Sequence, residues 1–260
     1  MEPIVIRECV SIDELDNCIR LQREAFDLPD LEISPRRHLI VSRQAGGWTL
    51  GAFVTEGGVA RLVGFVHHLA AVRENEIFGY SHMMAVAHEY QNQGVGARLK
   101  WSQRKRAIEE GRSFIKWTWD PMQARNAHFN LNRLGVTVTS YGENFYGTDY
   151  PASPDLHDVE TPGIDSDRLF ANWQLQSRRV IDLARGAAGG AISNPDAVIQ
   201  IPAEWSKLIK QDPNLAKQEQ LRVREEFKGA FAAGLVCAGF DRSSERPGYL
   251  LYKAQALQSF

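Results

Sequence analysis

Cysteine is scarce. The 260 residues contain three, Cys9, Cys18 and Cys237. An odd, widely spaced set makes a poor disulfide framework and has no zinc-ligand spacing, so free thiols in a reducing cytoplasm and no bound metal are expected. Charge of one sign is lacking too: 30 Lys and Arg against 32 Asp and Glu leave a formal net charge of −2. A chain held to nucleic acid or to an anionic membrane surface by a broad patch would usually be basic, so neither partner is expected. No apolar run approaches the ~20 residues of a spanning helix. Met1 to Arg7 has no cationic stretch leading into an apolar one, so no signal peptide is expected. With 43% hydrophobic and 24% charged residues, the composition is that of a soluble globular protein, which excludes wholesale disorder, collagen and coiled coil.

What is present is an alternation of strand and helix patterns. Val5–Arg7 predicts a first strand, and Ser11-Ile-Asp-Glu14 predicts a capping box opening a helix to about Phe26. Pro29 and Pro35 mark a loop. Strands are predicted over Trp48–Val54, Arg61–Leu69 and Ile77–Ala87, with hairpin signals at Glu56-Gly57-Gly58 and around Glu74-Asn75. A helix follows from Gly94 to about Glu110, then a strand Phe114–Trp119, a helix Ala124–Leu134 and a strand Val136–Tyr141. This order predicts α/β character with an antiparallel meander in front.

Gly147–Pro162 reads as a long loop and Arg168–Leu175 as a strand. Arg185–Pro195, rich in glycine and small residues, reads as a flexible linker. The tail predicts a strand Ala197–Ile201, a helix begun by Asp212-Pro213, and strands Leu235–Phe240 and Tyr249–Lys253. The expected division is therefore residues 1–180, a linker over 181–196, and a β-α-β-β extension over 197–260.

The segment that carries chemistry is Met83-Met-Ala-Val-Ala-His-Glu-Tyr-Gln-Asn-Gln-Gly-Val-Gly-Ala97. A hydrophobic strand ends, a turn follows, and a helix opens with two glycines. Glycine lets a ligand approach the backbone closely, and the first helical turn has unpaired N–H groups and partial positive charge, so the pair suits a pyrophosphate. It is not a Walker loop, which needs G-K-[ST], and Leu99 stands where a dinucleotide fingerprint has its third glycine.

Gln91-Asn92-Gln93-Gly94-Val95-Gly96, with Val86 five residues before Gln91, resembles the signature of the GNAT acetyltransferase superfamily, and the strand order over roughly residues 1–145 is similar to its fold. Asp120-Pro121, Asn126-Ala127 and Asn130 to Gly135 further resemble a bacterial group of that superfamily with a long C-terminal extension. The resemblance implies a GNAT fold: a mixed, mostly antiparallel central sheet flanked by helices. It implies acetyl-CoA as acyl donor, with the backbone of Met84, Ala85 and Val86 pairing with the pantetheine arm. Gln91, Asn92, Gln93, Gly94, Val95, Gly96 and Ala97 would surround the pyrophosphate, and Asn126 would bond the CoA arm. A primary amine of a small molecule would then attack the thioester directly, and a homodimer is left open.

That attack needs a neutral amine. A lysine-like amine, with pKa about 10.4, is only about 0.1% neutral near pH 7.4, so a base has work to do. Strict alternation puts His82, Met84 and Val86 on one face of their strand. A histidine four residues before Val86 resembles the arylalkylamine acetyltransferases, which makes His82 the candidate base, with a hydrogen-bonded core histidine as the alternative. Of His67 and His68 on the neighbouring strand, one must face the same way. The tyrosine acid common in the superfamily is replaced here by Leu131, and Tyr146 or Tyr141 is the candidate substitute. Two other readings compete: a module that binds CoA or acyl-CoA without turnover, and an assembly protein organised by the tail.

Overall fold

The structure, a computed structural model, describes residues 4–26, 30–147, 163–188, 194–242 and 245–257. The expected loop Gly147–Pro162 lies outside them save for its first residue. The chain divides into two compact units, Met1–Lys116 and Trp117–Phe260.

The first unit runs β1 Val5–Glu8, α1 Ile12–Phe26, α2 Arg36–Gln44, β2 Trp48–Glu56, β3 Val59–Arg73, β4 Glu76–Val86 and α3 Val95–Glu109, and β5 Phe114–Trp119 begins in it. β1, β2, β3 and β4 pair antiparallel in sequence order. β4 then pairs with β5 in parallel at Gly79↔Ile115 and Tyr80↔Lys116. α1 opens as its sequence predicts: the Glu14 backbone N–H donates to Ser11 Oγ at 3.2 Å, and the Ser11 N–H donates to Glu14 Oε2 at 3.1 Å. Helices cover both faces of the sheet. Leu15, Cys18, Leu21 and Leu39 of α1 and α2 pack with Phe65 and Ala85. Val95 and Leu99 of α3 pack on the opposite face with Val63 and Val66, and Met84 and Val86 lie against this second cluster.

The second unit contains α4 Ala124–His128 and then β6 Thr137–Gly142, β7 Arg168–Gln174, α5 Arg178–Ala184, β8 Ala197–Gln200, α6 Trp205–Gln211, α7 Pro213–Ala232, β9 Leu235–Asp241 and β10 Gly248–Lys253. Its strands lie in the order β7-β6-β9-β10-β8. Asn132 ties the tail to the middle of the chain: its side chain donates to the Phe240 carbonyl at 2.8 Å and accepts from the Phe240 N–H at 2.9 Å. Residue 180 and the whole 197–260 segment fall within this one unit.

Several elements differ from the sequence prediction. α2 occupies part of what reads as a loop, because Pro35 stands just outside the first turn, where a missing N–H costs nothing. The expected helix Ala124–Leu134 is α4 continued by a π turn over Phe129–Arg133. The expected linker over 181–196 begins as helix, since Ser177 accepts from the Val180 N–H and caps α5. The tail has two helices, α6 and α7, where one is predicted; α7 does start with Asp212 as cap and Pro213 in its first turn.

Candidate active site

The turn from β4 into α3 is built by backbone geometry. Asn92 and Gly94 both have positive φ, 60° and 81°. Gly94 caps α3 with no side-chain hydrogen bond, and a Cβ on it would meet nothing within 4 Å. The first intrahelical bond is Arg98 N–H to Gly94 carbonyl at 3.0 Å. The N–H groups of Val95, Gly96 and Ala97 therefore have no partner within the helix and point out of its N-terminus. Gly94 is exposed, and Gly96 and Ala97 are half-buried. Gly96 lies over Met84, whose Cε would be 3.4 Å from an added Cβ. The side chains of the turn brace it from behind: Gln91 Nε2 donates to the Val86 carbonyl at 3.1 Å, and Gln93 Nε2 donates to the Glu89 carbonyl at 2.6 Å.

β4 leads into this turn. Its ladder with β5 consists of two residue pairs, the last being Tyr80↔Lys116. Met84, Ala85 and Val86 lie beyond that last pair, toward the glycine turn. A backbone edge ending at a helix N-terminus can pair with an extended amide-bearing arm and hold an anion at its end.

His82 is not where alternation puts it. β3 and β4 slip by one residue, so that consecutive His67 and His68 pair with Met83 and Ser81. His82 is the extra residue of a β-bulge, and a bulge reverses the face of what precedes it. Ser81 joins Met84 and Val86 on the α3 face, whereas His82 turns to the α1 and α2 face. The expectation that His82 shares a face with Met84 and Val86 is therefore corrected. There its Nε2 lies 3.2 Å from Ser34 Oγ. Its ring stands edge-on to His38 at 5.4 Å and to His67 at 6.1 Å between centroids, and His38 and His67 are themselves 5.4 Å apart.

The cluster of three imidazoles, from α2, β3 and β4, combines an exposed member with a fixed one. His82 is exposed. His67 is fully buried, with Nδ1 2.8 Å from Thr49 Oγ1 and Nε2 3.0 Å from Ser42 Oγ. Burial, and then the charges of His82 and His38, push the His67 pKa down to about 3. Burial and then the charge of His38 also lower that of His82. His38 Nε2 is buried without a hydrogen-bond partner. Among the described residues, no group of three His, Cys, Asp or Glu side chains is placed to hold a metal ion.

His68 faces the other way. It stacks on Trp48 with ring centroids 4.1 Å apart, and burial pushes its pKa down to about 2. Its ring fills the space over Gly79, where a Cβ would come within 2.2 Å of it, so only glycine fits there. Beside it Lys100 is buried, donating to Ser81 Oγ at 2.8 Å and Gln103 Oε1 at 3.0 Å, and burial pulls its pKa well below the ordinary lysine value. Neither His38 nor Lys100 stands out in the sequence. His38 follows a proline-marked loop, and Lys100 falls on the buried side of α3.

The second unit holds the remaining expected residues. Asn126 is exposed on α4. Tyr146 is 60% exposed, with its hydroxyl 3.2 Å from Thr118 Oγ1 and the Arg168 guanidinium over its ring. Tyr141 is engaged otherwise: it donates to Asp167 Oδ2 at 2.7 Å, and burial followed by that carboxylate raises its pKa. Leu131 is fully buried in the π turn and offers no proton donor.

No family model matches the chain, and no curated protein matches it. Solved structures do. The ribosomal-protein-S18-alanine N-acetyltransferase of Escherichia coli superposes with a TM-score of 0.50 at 15% identity, over 67% of this chain and 96% of that one. A Desulfovibrio desulfuricans protein assigned to the GNAT family of acetyltransferases gives 0.50 at 16% identity, over 66% and 99%. A chain of the NatC complex bound to Gag peptide and CoA gives 0.50 at 18%, over 67% and 99%. The protein therefore has the GNAT acetyltransferase fold, a mixed α/β architecture with helices on both faces of a sheet. Among the described residues, no helix is long and apolar enough to cross a membrane.

Proposed function

We propose that this protein is an acyl-CoA-dependent N-acyltransferase that moves acetyl from acetyl-CoA to a primary amine by direct attack. The carrying observation is the glycine turn at the start of α3, with its outward N–H groups at the end of a β4 edge that leaves β5 after Tyr80. The amides of Val95, Gly96 and Ala97 would hold the pyrophosphate, and the backbone of Met84, Ala85 and Val86 would pair with the pantetheine arm. Gln91, Asn92 and Gln93 shape the turn. Asn126 and Tyr146 remain candidates, one for the CoA arm and one for the proton returned to the thiolate.

The neutral amine attacks the thioester carbonyl carbon, the C–S bond breaks, and the CoA thiolate leaves with the electron pair. His82 takes the proton from the nitrogen. Its exposure, its depressed pKa and its place in an imidazole cluster favour this role over simple packing. The buried Leu131 favours instead a module that binds CoA without turnover, since it leaves the usual tyrosine position without an acid.

Gly96→Glu, which puts bulk and negative charge at the expected pyrophosphate position, should weaken acetyl-CoA binding more than tenfold, or about 1.4 kcal/mol. Unchanged affinity by calorimetry, with the fold intact, would end the CoA assignment. Release of CoA from acetyl-CoA in the presence of an amine panel separates the enzyme from the binding module.

A further inference from the structure

The surface beside His82 has a chemical bias. Its polar groups are the imidazoles of His38, His67 and His82 and the hydroxyls of Ser34, Ser42 and Thr49. None of these six side chains carries negative charge. Acidic side chains on the neighbouring segments are turned to other partners. Asp16 pairs with Arg36 at 2.8 Å, Asp30 with Arg23 at 2.9 Å, and Glu24 accepts from the His88 N–H at 2.9 Å. Glu32 is exposed, where a carboxylate holds an ammonium weakly. The first turn of α2 adds a further cation, Arg37, beside the Arg36 already paired with Asp16.

An ammonium ion brought to His82 would thus lose water without gaining a carboxylate, and would meet repulsion whenever a neighbouring imidazole is protonated. His67 cannot turn to help, because both its ring nitrogens are already held by hydroxyls. The same two effects, burial first and neighbouring charge second, lower the pKa of both His67 and His82, so positive charge on either is disfavoured.

We propose that the acceptor at this site is an amine of low basicity, typified by the α-amino group of an amino acid or peptide, and not a lysine-like alkylamine. This rests on the acyltransferase reading above. An α-amino group, with pKa about 7.7–8.0, is roughly one-third neutral at pH 7.5, whereas a lysine-like amine is about 0.1% neutral. Among the described residues, the imidazoles and hydroxyls around His82 supply no carboxylate to make up that difference.

The test compares alaninamide and an alanine-led tripeptide with Nα-acetyl-lysinamide, using the full chain and acetyl-CoA. At pH 7.5 the α-amines should show kcat/KM about 100-fold or more above the lysine amide. Raising the pH to 9.5 should narrow the gap at least about tenfold, because the lysine amine gains roughly 90-fold in neutral fraction and the α-amine only about threefold. His38→Glu, which adds a carboxylate to the cluster, should raise the lysine-to-alanine ratio severalfold, with melting temperature recorded to show that the variant folds. Equal kcat/KM for the two classes at pH 7.5 overturns this inference and leaves the acyltransferase standing. Transfer to neither overturns the acyltransferase reading and this inference with it. The amide and the tripeptide arms distinguish a free amino acid derivative from a peptide end.

Discussion

In the first unit, burial disfavours the charged forms of two imidazoles and a lysine. His67 and His68 are pushed down to about 3 and about 2, and Lys100 well below its ordinary value, each by burial first. In the second unit a buried carboxylate and a guanidinium are paired as ions. Asp167, 1% exposed, accepts from Arg224 at 2.8 and 3.0 Å and from the Tyr141 hydroxyl; Asp165 accepts from Arg224 at 2.5 Å and pairs with Lys217 at 2.8 Å. The first set lies on β3 and α3, beside the bulge and the open glycine turn, where backbone N–H groups are left for a ligand. The charged set fastens α7 to the segment that enters β7 and closes its polar groups on one another. His67, His68 and Lys100 are held by hydroxyl, amide and ring partners, whereas the second set is held by ion pairs that fasten one element to another.

The largest expected effect breaks the first unit's chemistry without its stability. His82→Ala should lower kcat/KM for a good amine by roughly 10²–10⁴-fold, with little change in melting temperature, since the ring is exposed. Wild-type kcat/KM should rise with pH through a midpoint below 6.5, because the neutral imidazole is the base and its surroundings lower its pKa. A lower melting temperature with an unchanged rate would make His82 a packing residue.

Asp167→Ala should do the reverse. It strands Arg224 and Tyr141 and should cost about 3–5 kcal/mol, the usual penalty for halving a buried pair, read by chemical denaturation. A cost under about 1 kcal/mol would show that solvent replaces the carboxylate and that the ion network is not what holds α7.

Acid should separate the two units. The folded-state pKa values of His67 and His68 lie below the unfolded value of about 6.5. The unfolded chain therefore binds more protons between those limits, and stability falls as pH drops below about 6.5, by up to about 1.4 kcal/mol per pH unit for each. Burial of Asp165 opposes its ionisation, but hydrogen bonds from Lys217 and Arg224 outweigh it and hold its pKa low, so its contribution persists until about pH 4 and below. Hydrogen exchange at pH 5 should loosen β3 before α7; the opposite order would contradict the contrast. His67→Gln should flatten the slope.

The smallest effect is the sharpest. Gly94 and Gly234 have φ of 81° and 76°, and neither has an atom within 4 Å of an added Cβ. Alanine at either should cost about 1–2 kcal/mol of backbone strain. Only Gly94→Ala should also weaken acetyl-CoA binding, measured by calorimetry.

Much of the first unit's frame is legible in its sequence. The capping box at Ser11 and Glu14, the hairpin signals and the Gly94-Val95-Gly96 turn are all local, set by spacing over a few residues. α2 is less visible, because just two of its residues, Leu39 and Ser42, are buried and their spacing barely registers as a helical stripe. Cys9 and Cys18 look widely spaced, yet their sulfurs lie 4.0 Å apart and remain free thiols. Nothing nearby in the chain announces that Asp167 will meet Arg224.

By itself the sequence determined the strands of the first unit, the helices α1, α3 and α7 with the caps that start α1 and α7, and the glycine turn with its unpaired amides, because these depend on backbone preferences within one or two turns of chain. Tertiary structure alone decided which face His82 takes, that His38 and His67 join it, that Lys100 is buried, and that Tyr141 serves Asp167. Each depends on register and packing between residues distant in sequence. A slip of one residue between β3 and β4 is enough to reverse a face, and no periodicity within β4 records it.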